Sequence, residues 1–316
     1  MNQQIKMEEP GISASISASI SADSINHKGT RILTYELQYP RFIHAEFMTH
    51  RVLSKNSSSS RAIPVEKMLE VIDSYPAVPV HWGKNQAGMQ AKEELQGVNL
   101  AAAKSIWDGA KRDAVSNARA LHQVGAHKQI VNRITEPFQV IKVVTTGTEW
   151  ENFFWLRNHP DAQPEIHALA DLMLKARQQS IPERLYPCEW HVPYVHRARN
   201  EQGIMRYYDD LGKEIPIAQA LMISASCCAQ VSYRKNDTSA DKAEVIYRRL
   251  IESEPCHASP VEHQALAFDS SICISSAPLT WHNGLTHVDR DGNLWSGNFR
   301  DFVQYRQLIP NNAKKG

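Results

Sequence analysis

Residues 31–39, RILTYELQY, alternate between two faces, with Leu33, Tyr35, Leu37 and Tyr39 on one of them. A period of two held over that length fits a half-buried β-strand. Pro40 lacks the N–H that a ladder needs and ends the strand. The period then changes. Ile43, Phe47 and Val52 fall near one helical stripe with Phe42 and Met48 beside it, and Glu46, Thr49, His50 and Leu53 stand at i, i+3, i+4 and i+7 on another face. A strand, a helix over 41–53 and a serine-rich loop are therefore expected in succession. The loop places Ser57, Ser58, Ser59 and Ser60 between Arg51 and Arg61.

The remaining pattern mixes helices and strands without strict alternation. Residues 90–124 are alanine-rich and predict one or two helices ended by Gly125, and 128–135 predict another closed by Pro137. The β-branched run VIKVVTT (140–146) predicts a strand. Helices are expected at 150–157, 162–181, 217–232 and 239–252, a strand at 261–268, irregular structure from 183 to 203, and a last helix over 297–309. This is an α/β or α+β pattern. Neither GxGxxG nor a P-loop occurs, so no doubly wound nucleotide fold is expected.

Charge narrows the function classes. Lys+Arg is 35 and Asp+Glu is 34, giving a net charge of +1. A protein that coats nucleic acid carries a basic excess, so no nucleic-acid partner is expected. The five cysteines, Cys188, Cys227, Cys228, Cys256 and Cys273, are odd in number and form no framework, which suits reduced thiols in a cytoplasmic protein. No apolar run reaches the ~18 residues that cross a membrane, so no membrane partner is expected. The near-repeat ISASISASISAD (12–23) lacks the apolar centre of a signal peptide, and residues 1–30 read as a disordered or loosely attached tail.

Three stretches carry candidate chemistry. Arg51 and Arg61 each offer a forked donor set to phosphate, with serine hydroxyls and loop N–H groups between them; a flexible polar linker is the alternative. HASPVEHQALAF (257–268) reads as a capped turn leading into a strand. Cys188, His191, Cys256 and His257 match no closed zinc spacing, so no metal is expected. Arg133, Asn152 and Arg157 punctuate NRITEP and NFFWLR, where a lone arginine on an apolar face is ordinarily a snorkelling surface residue.

Together these stretches resemble the flavin-dependent thymidylate synthases. That family carries a motif of the form RHRxxSxNxxSxR, and THRVLSKNSSSSR places His50, Arg51, Ser54, Asn56, Ser59 and Arg61 on it. HASPVEH resembles the family's H-x-[ST]-P-x-E-H strand, and NRITEP, NFFWLR and AQPEI its C-terminal half. The order differs. Here the HASPVEH segment follows the arginine–serine motif instead of preceding it, so the resemblance implies a circular permutation with strands 33–39 and 261–268 as neighbours or continuous in direction. It implies a central, mainly antiparallel sheet flanked by helices. It also implies a single catalytic domain over 31–316, with insertions at about 64–124 and 183–213.

The implied activity is C5 methylation of dUMP to dTMP, with FAD as cofactor and NADPH and methylenetetrahydrofolate as co-substrates, in a homotetramer with shared active sites. Catalysis falls to Arg157, beside the ionising pyrimidine, and Ser59. Glu46, Ser57, Ser58, Ser59, Ser60, Arg61 and Arg133 hold the pyrimidine deoxynucleotide monophosphate. Thr49, His50, Arg51, Asn152, His257 and Ser259 contact FAD. Thr49 stands where the motif has its first arginine, and Glu46 where a glutamine is common. Methylation or hydroxymethylation of another pyrimidine such as dCMP, or a non-catalytic nucleotide-binding relative, is therefore the alternative.

Overall fold

The computed structural model describes residues 15–232, 237–268 and 283–314. Cys273 and the first residues of the 12–23 near-repeat lie outside them. The strands are β1 (Ser17–Ile25), β2 (Arg31–Pro40), β3 (Ser54–Ser57), β4 (Val140–Gly147), β5 (Glu183–Arg184), β6 (Trp190–His191), β7 (His196–Arg199), β8 (Met205–Tyr208), β9 (Glu214–Ile215), β10 (Ala265–Ala267), β11 (His287–Val288), β12 (Leu294–Ser296), β13 (Phe299–Arg300) and β14 (Phe302–Gln304). The α-helices are α1 (His44–Met48), α2 (Val65–Ser74), α3 (Gly97–Gln123), α4 (Lys128–Val131), α5 (Glu151–Arg157), α6 (Pro164–Gln179), α7 (Ile217–Ala229) and α8 (Ala240–Leu250).

The central sheet has the order β3-β4-β2-β1-β5 and is antiparallel except for the β1–β5 pair. Leu33, Tyr35, Leu37 and Tyr39 are all buried on one face of β2, as the alternation predicts, against α5 and α6. Two polar side chains within this layer are paired: the Tyr35 hydroxyl donates to the Met173 carbonyl at 3.1 Å and the Trp150 indole to the Gly147 carbonyl at 2.8 Å. Ile32 and Thr34, on the opposite face, are buried too. A second sheet, β14-β10-β6, covers that end of β2, with Ala265, Ala267, Phe299 and Phe302 packed around Ile32. Two further three-stranded sheets, β7-β8-β9 and β11-β12-β13, lie outside these layers.

Four hairpin turns share one device. Asn26, Asn200, Asp209 and Asp289 each take two backbone N–H groups on the side-chain Oδ1, at 2.8–3.1 Å. The third residue beyond each is a glycine with φ between +75° and +85°. Only glycine enters that region without a Cβ penalty.

Four expectations are corrected. Residues 17–25 form β1, an interior strand between β2 and β5, so this part of 1–30 is no tail; small Ser and Ala side chains fit beneath α6. The serine-rich segment is partly the edge strand β3, because the helix before it stops at Met48. The helix expected over 297–309 is instead β13, β14 and a 3-10 turn at Tyr305–Leu308, since Phe299, Phe302 and Val303 bury into the second sheet. The strand expected over 261–268 shrinks to β10, preceded by a 3-10 turn at Ser259–Glu262. It pairs with β14 and β6, so it is neither a ladder neighbour nor a continuation of β2.

Candidate active site

Pro40 ends β2, and the chain turns through 3-10 residues Arg41–Ile43 into α1, which packs on α5. Phe47 and Phe153 pack edge to face with centroids 5.7 Å apart, and His50 packs on Phe153 at 4.9 Å. This contact brings Glu46, His50 and Arg157 together. Arg157 Nη1 lies 2.5 Å from Glu46 Oε1, and Arg157 Nε donates to His50 Nε2 at 2.9 Å. His50 accepts at Nε2, so its proton sits on Nδ1 and the ring is neutral. Burial, then the Arg157 and Lys55 cations, lower its pKa to about 4. The site carries one carboxylate, one guanidinium and one neutral imidazole.

Lys55 joins this group to β3. Its ammonium donates to the His50 and Leu53 carbonyls and lies over the Phe47 ring at 5.8 Å. Burial lowers its pKa to about 8, against the opposing effect of Glu262. Burial likewise lowers His44 to about 4 and His263 to about 3. The folded chain keeps these imidazoles neutral where the unfolded chain protonates them. Stability is therefore complete above pH ~6.5 and falls as pH drops toward 4. Urea midpoints at pH 7.5, 6.5 and 5.5 are expected to fall across the lower interval, above the titration of ordinary carboxylates; a flat profile removes this assignment.

The serines divide. Ser58 is buried and extends the β3–β4 ladder: its N–H donates to the Lys142 carbonyl at 2.8 Å and its hydroxyl accepts from Lys142 N–H at 3.1 Å. Ser59 N–H donates to Ser232 Oγ at 3.0 Å, and the Ser60 carbonyl accepts from Asn132 at 2.8 Å. Ser57 and Arg61 are exposed. Part of the serine run is thus structural. Arg133 is exposed and lies 3.3 Å from Glu136, which also pairs with Arg41 at 3.2 Å.

His257 and Ser259 are exposed on the turn that leads into β10. That turn is fixed against β3: Gln304 Nε2 donates to the Glu262 carbonyl and to Ser54 Oγ, both at 3.1 Å, and Arg306 pairs with Glu262. Glu46, His50 and Arg157 therefore touch, and the 257–262 turn lies beside the serine strand. No contact joins Ser59, Arg157 and His257 directly among the described residues.

Sequence reasoning missed two features. One is a buried polar line: Ser24 Oγ to His191 Nδ1 at 2.9 Å, His191 Nε2 to Thr34 Oγ1 at 2.9 Å, Thr34 to Thr146 at 2.8 Å, and Thr146 to His263 Nδ1 at 2.9 Å. Alternation of Thr34 within β2 signals an inward polar residue but not its partners. The other is a cleft of about 1250 Å³ whose lining includes Glu46, Arg157, Phe42 and Trp107.

The donor set fits a flavin dinucleotide in part. Thr49, Arg51, Asn152, His257 and Ser259 are exposed, and neither Arg51 nor Arg61 has an ion-pair partner among the described residues, as suits a phosphate-bearing ligand. His50 is different: its ring is buried and its Nε2 is occupied by Arg157, so it orients the arginine. Among the described residues no group of three or more His, Cys, Asp or Glu side chains gathers as a metal requires, and no helix is long and apolar enough to cross a membrane.

The thymidylate synthase complementing protein family matches residues 31–183. Among solved structures, the UMP/dUMP methylase PolB from Streptomyces cacaoi bound with 5-Br UMP superposes with a TM-score of 0.44 at 16% identity, covering 54% of this chain and 92% of that one. The same methylase bound with 5-Br dUMP gives a TM-score of 0.37 at 18% identity, covering 47% and 67%. No curated protein matches in sequence.

Proposed function

Over residues 31–183 the chain belongs to the thymidylate synthase complementing protein family, the flavin-dependent thymidylate synthases, and from that premise we infer that it methylates C5 of dUMP to give dTMP, with methylenetetrahydrofolate as carbon donor, FAD as cofactor and NADPH as reductant. The observation that carries the reading is the Glu46–Arg157–His50 contact at the edge of the cleft. A guanidinium stays charged at every working pH and stabilises an adjacent pyrimidine as it loses its N3 proton. His50 and Glu46 hold that guanidinium from two sides, so its direction is set before substrate arrives. Arg61, Ser59 and Ser57 offer donors to the nucleotide phosphate, with Arg133 as a further cation beyond Glu136. FAD supplies the hydride that brings the transferred carbon to the methyl level. Arg51 and Asn152, with His257 and Ser259 on the turn beside β3, are the residues that hold it.

The homotetramer with shared sites follows from the family resemblance, and sedimentation of the purified chain tests it. The packing of the 257–262 turn on β3 supports the permuted order, since the two motif segments lie side by side through side chains instead of a shared ladder.

A second reading rests on Glu46. Its carboxylate sets an acceptor next to the Arg157 donors, a pair that also matches the N4 amine and N3 of cytosine. The test is to incubate the reduced protein with methylenetetrahydrofolate and either dUMP or dCMP. Gain of one CH2 on dUMP is expected. Turnover of dCMP alone transfers the assignment to cytosine, and turnover of neither ends it.

A further inference from the structure

The cleft that holds Arg157 and Glu46 is also lined by residues that no motif accounts for. Its volume of about 1250 Å³ exceeds the ~300–1,000 Å³ of an ordinary small-molecule pocket, so one mononucleotide leaves space. These residues form a wall made of a hairpin over residues 81–95 together with Trp107 of α3. The hairpin closes through a bridge between Gly83 and Glu94, through Lys84 N–H to the Glu93 carbonyl at 2.7 Å and through Leu95 N–H to the Trp82 carbonyl at 2.7 Å. A Cβ on Gly83 would stand 2.2 Å from the Ala91 Cβ, so the arms approach this closely only because residue 83 is glycine.

Two contacts tie this wall to the opposite side. Val80 N–H donates at 2.9 Å to Glu165, a carboxylate only 3% exposed, and Gln90 donates to the Asp161 carbonyl at 3.2 Å. Trp107 is fixed within it. Its indole N–H donates to the Ala77 carbonyl at 3.2 Å, and its ring meets Phe138 at 5.4 Å, Trp82 at 6.2 Å and Phe42 at 6.4 Å, all edge to face. Phe42 and Trp107 line the cleft, each partly exposed. Lys92 also lines it, and it has no ion-pair partner among the described residues. An aromatic surface held in place without a ligand, in a cleft that an unpaired cation also lines, is preorganised for a flat ring with an anionic tail.

We propose that this wall is a second ring-binding subsite of the cleft, which takes a planar heteroaromatic ring against Trp107 and Phe42 and its anionic tail at Lys92. Residues 64–124 thereby set which ring the cleft accepts. The inference rests on reading the cleft as a nucleotide-methylation site, where two ligands share this chemistry: the pyrimidine nucleotide and the reduced folate.

Calorimetric titration of the full chain separates them, with dUMP in one arm and 5-formyltetrahydrofolate, a stable reduced folate, in the other. Trp107→Ala and Lys92→Glu are each expected to weaken the same one of the two ligands by about tenfold or more, the scale of losing one ring stack, and Trp107→Phe to recover most of the loss. The ligand affected identifies the occupant. Lys92 is exposed and outside the core, so its variant remains informative if Trp107→Ala does not fold. Either folded variant leaving both affinities within about twofold, well below one stacking contact, overturns the subsite, as does an unaltered chain that binds neither probe. These are binding results, so they stand apart from the methylation assay: a chain that binds through this wall and gains no CH2 on any nucleotide fails the activity and keeps the subsite.

Discussion

Arg157→Ala is expected to lower kcat/KM for nucleotide methylation by at least about a hundredfold, ~2.7 kcal/mol of transition-state stabilisation, and to let His50 titrate closer to its ordinary range. The two effects have one cause. Arg157 is the cation against His50 Nε2 and the partner of Glu46. Its removal takes away the charge that, after burial, most opposes protonation of the imidazole. It also leaves the Glu46 carboxylate without its partner, so the cleft gains a net negative charge where an anionic nucleotide is to bind. Arg157→Lys is expected to recover little, because one ammonium cannot reach His50 and Glu46 at the same time as a planar fork does. Steady-state kinetics measures the first effect and NMR titration of the His50 ring the second. Unchanged kcat/KM takes Arg157 out of the reaction, and a His50 pKa that stays near 4 in the variant assigns the shift to burial and Lys55.

The parts of the fold readable in advance are those where local pattern and tertiary burial agree. Leu33, Tyr35, Leu37 and Tyr39 alternate and are buried; VIKVVTT is β-branched and forms β4; Gly125 follows α3 with φ +85°. The failures occur where tertiary contacts decide. The Ser and Ala residues of β1 carry no apolar signal, and the strand exists because β2, β5 and α6 complete it. Phe299, Phe302 and Tyr305 fit a helical stripe as well as a strand end, and the second sheet selects the strand. Within the site, the helical spacing expected over 41–53 puts Glu46 and His50 on a common face; α1 stops at Met48, and the turn after it, closed by His50 N–H to the Phe47 carbonyl, keeps the two together. The spacing did not give Arg157 as their shared partner, which depends on how α5 crosses α1. The aromatic wall was unreadable for the same reason: Phe42 and Trp107 are far apart in the chain, and ordinary helix positions leave no mark of a cleft between them.

Deletion of residues 1–30 is expected to abolish cooperative folding, a larger effect than any single substitution in the site. β1 occupies an interior position, paired to β2 from Ser17–Gln38 through Ile25–Arg31 and to β5 on its other side. Its loss opens the β2 ladder along most of its length and detaches β5. Each ladder bond contributes about 1 kcal/mol net, and Ile16, Ala18 and Ala22 lose their burial as well. Two further anchors leave with the segment. Asp23 pairs with Arg31 at 2.6 Å and accepts from Ser180 Oγ at 2.6 Å, which secures the end of α6. The turn after β1 is held by Asp301, through Lys28 Nζ at 3.0 Å and Thr30 Oγ1 at 2.8 Å, which fixes the C-terminal strands. The sum reaches the 5–15 kcal/mol, roughly, that separates a folded domain from its unfolded chain. Thermal melts by far-UV circular dichroism are expected to show a cooperative transition for the full chain and none for the truncated one. A truncated chain that melts cooperatively within about 5 °C of the full one, a shift worth only ~1–2 kcal/mol at this size, returns the segment to the status of a tail.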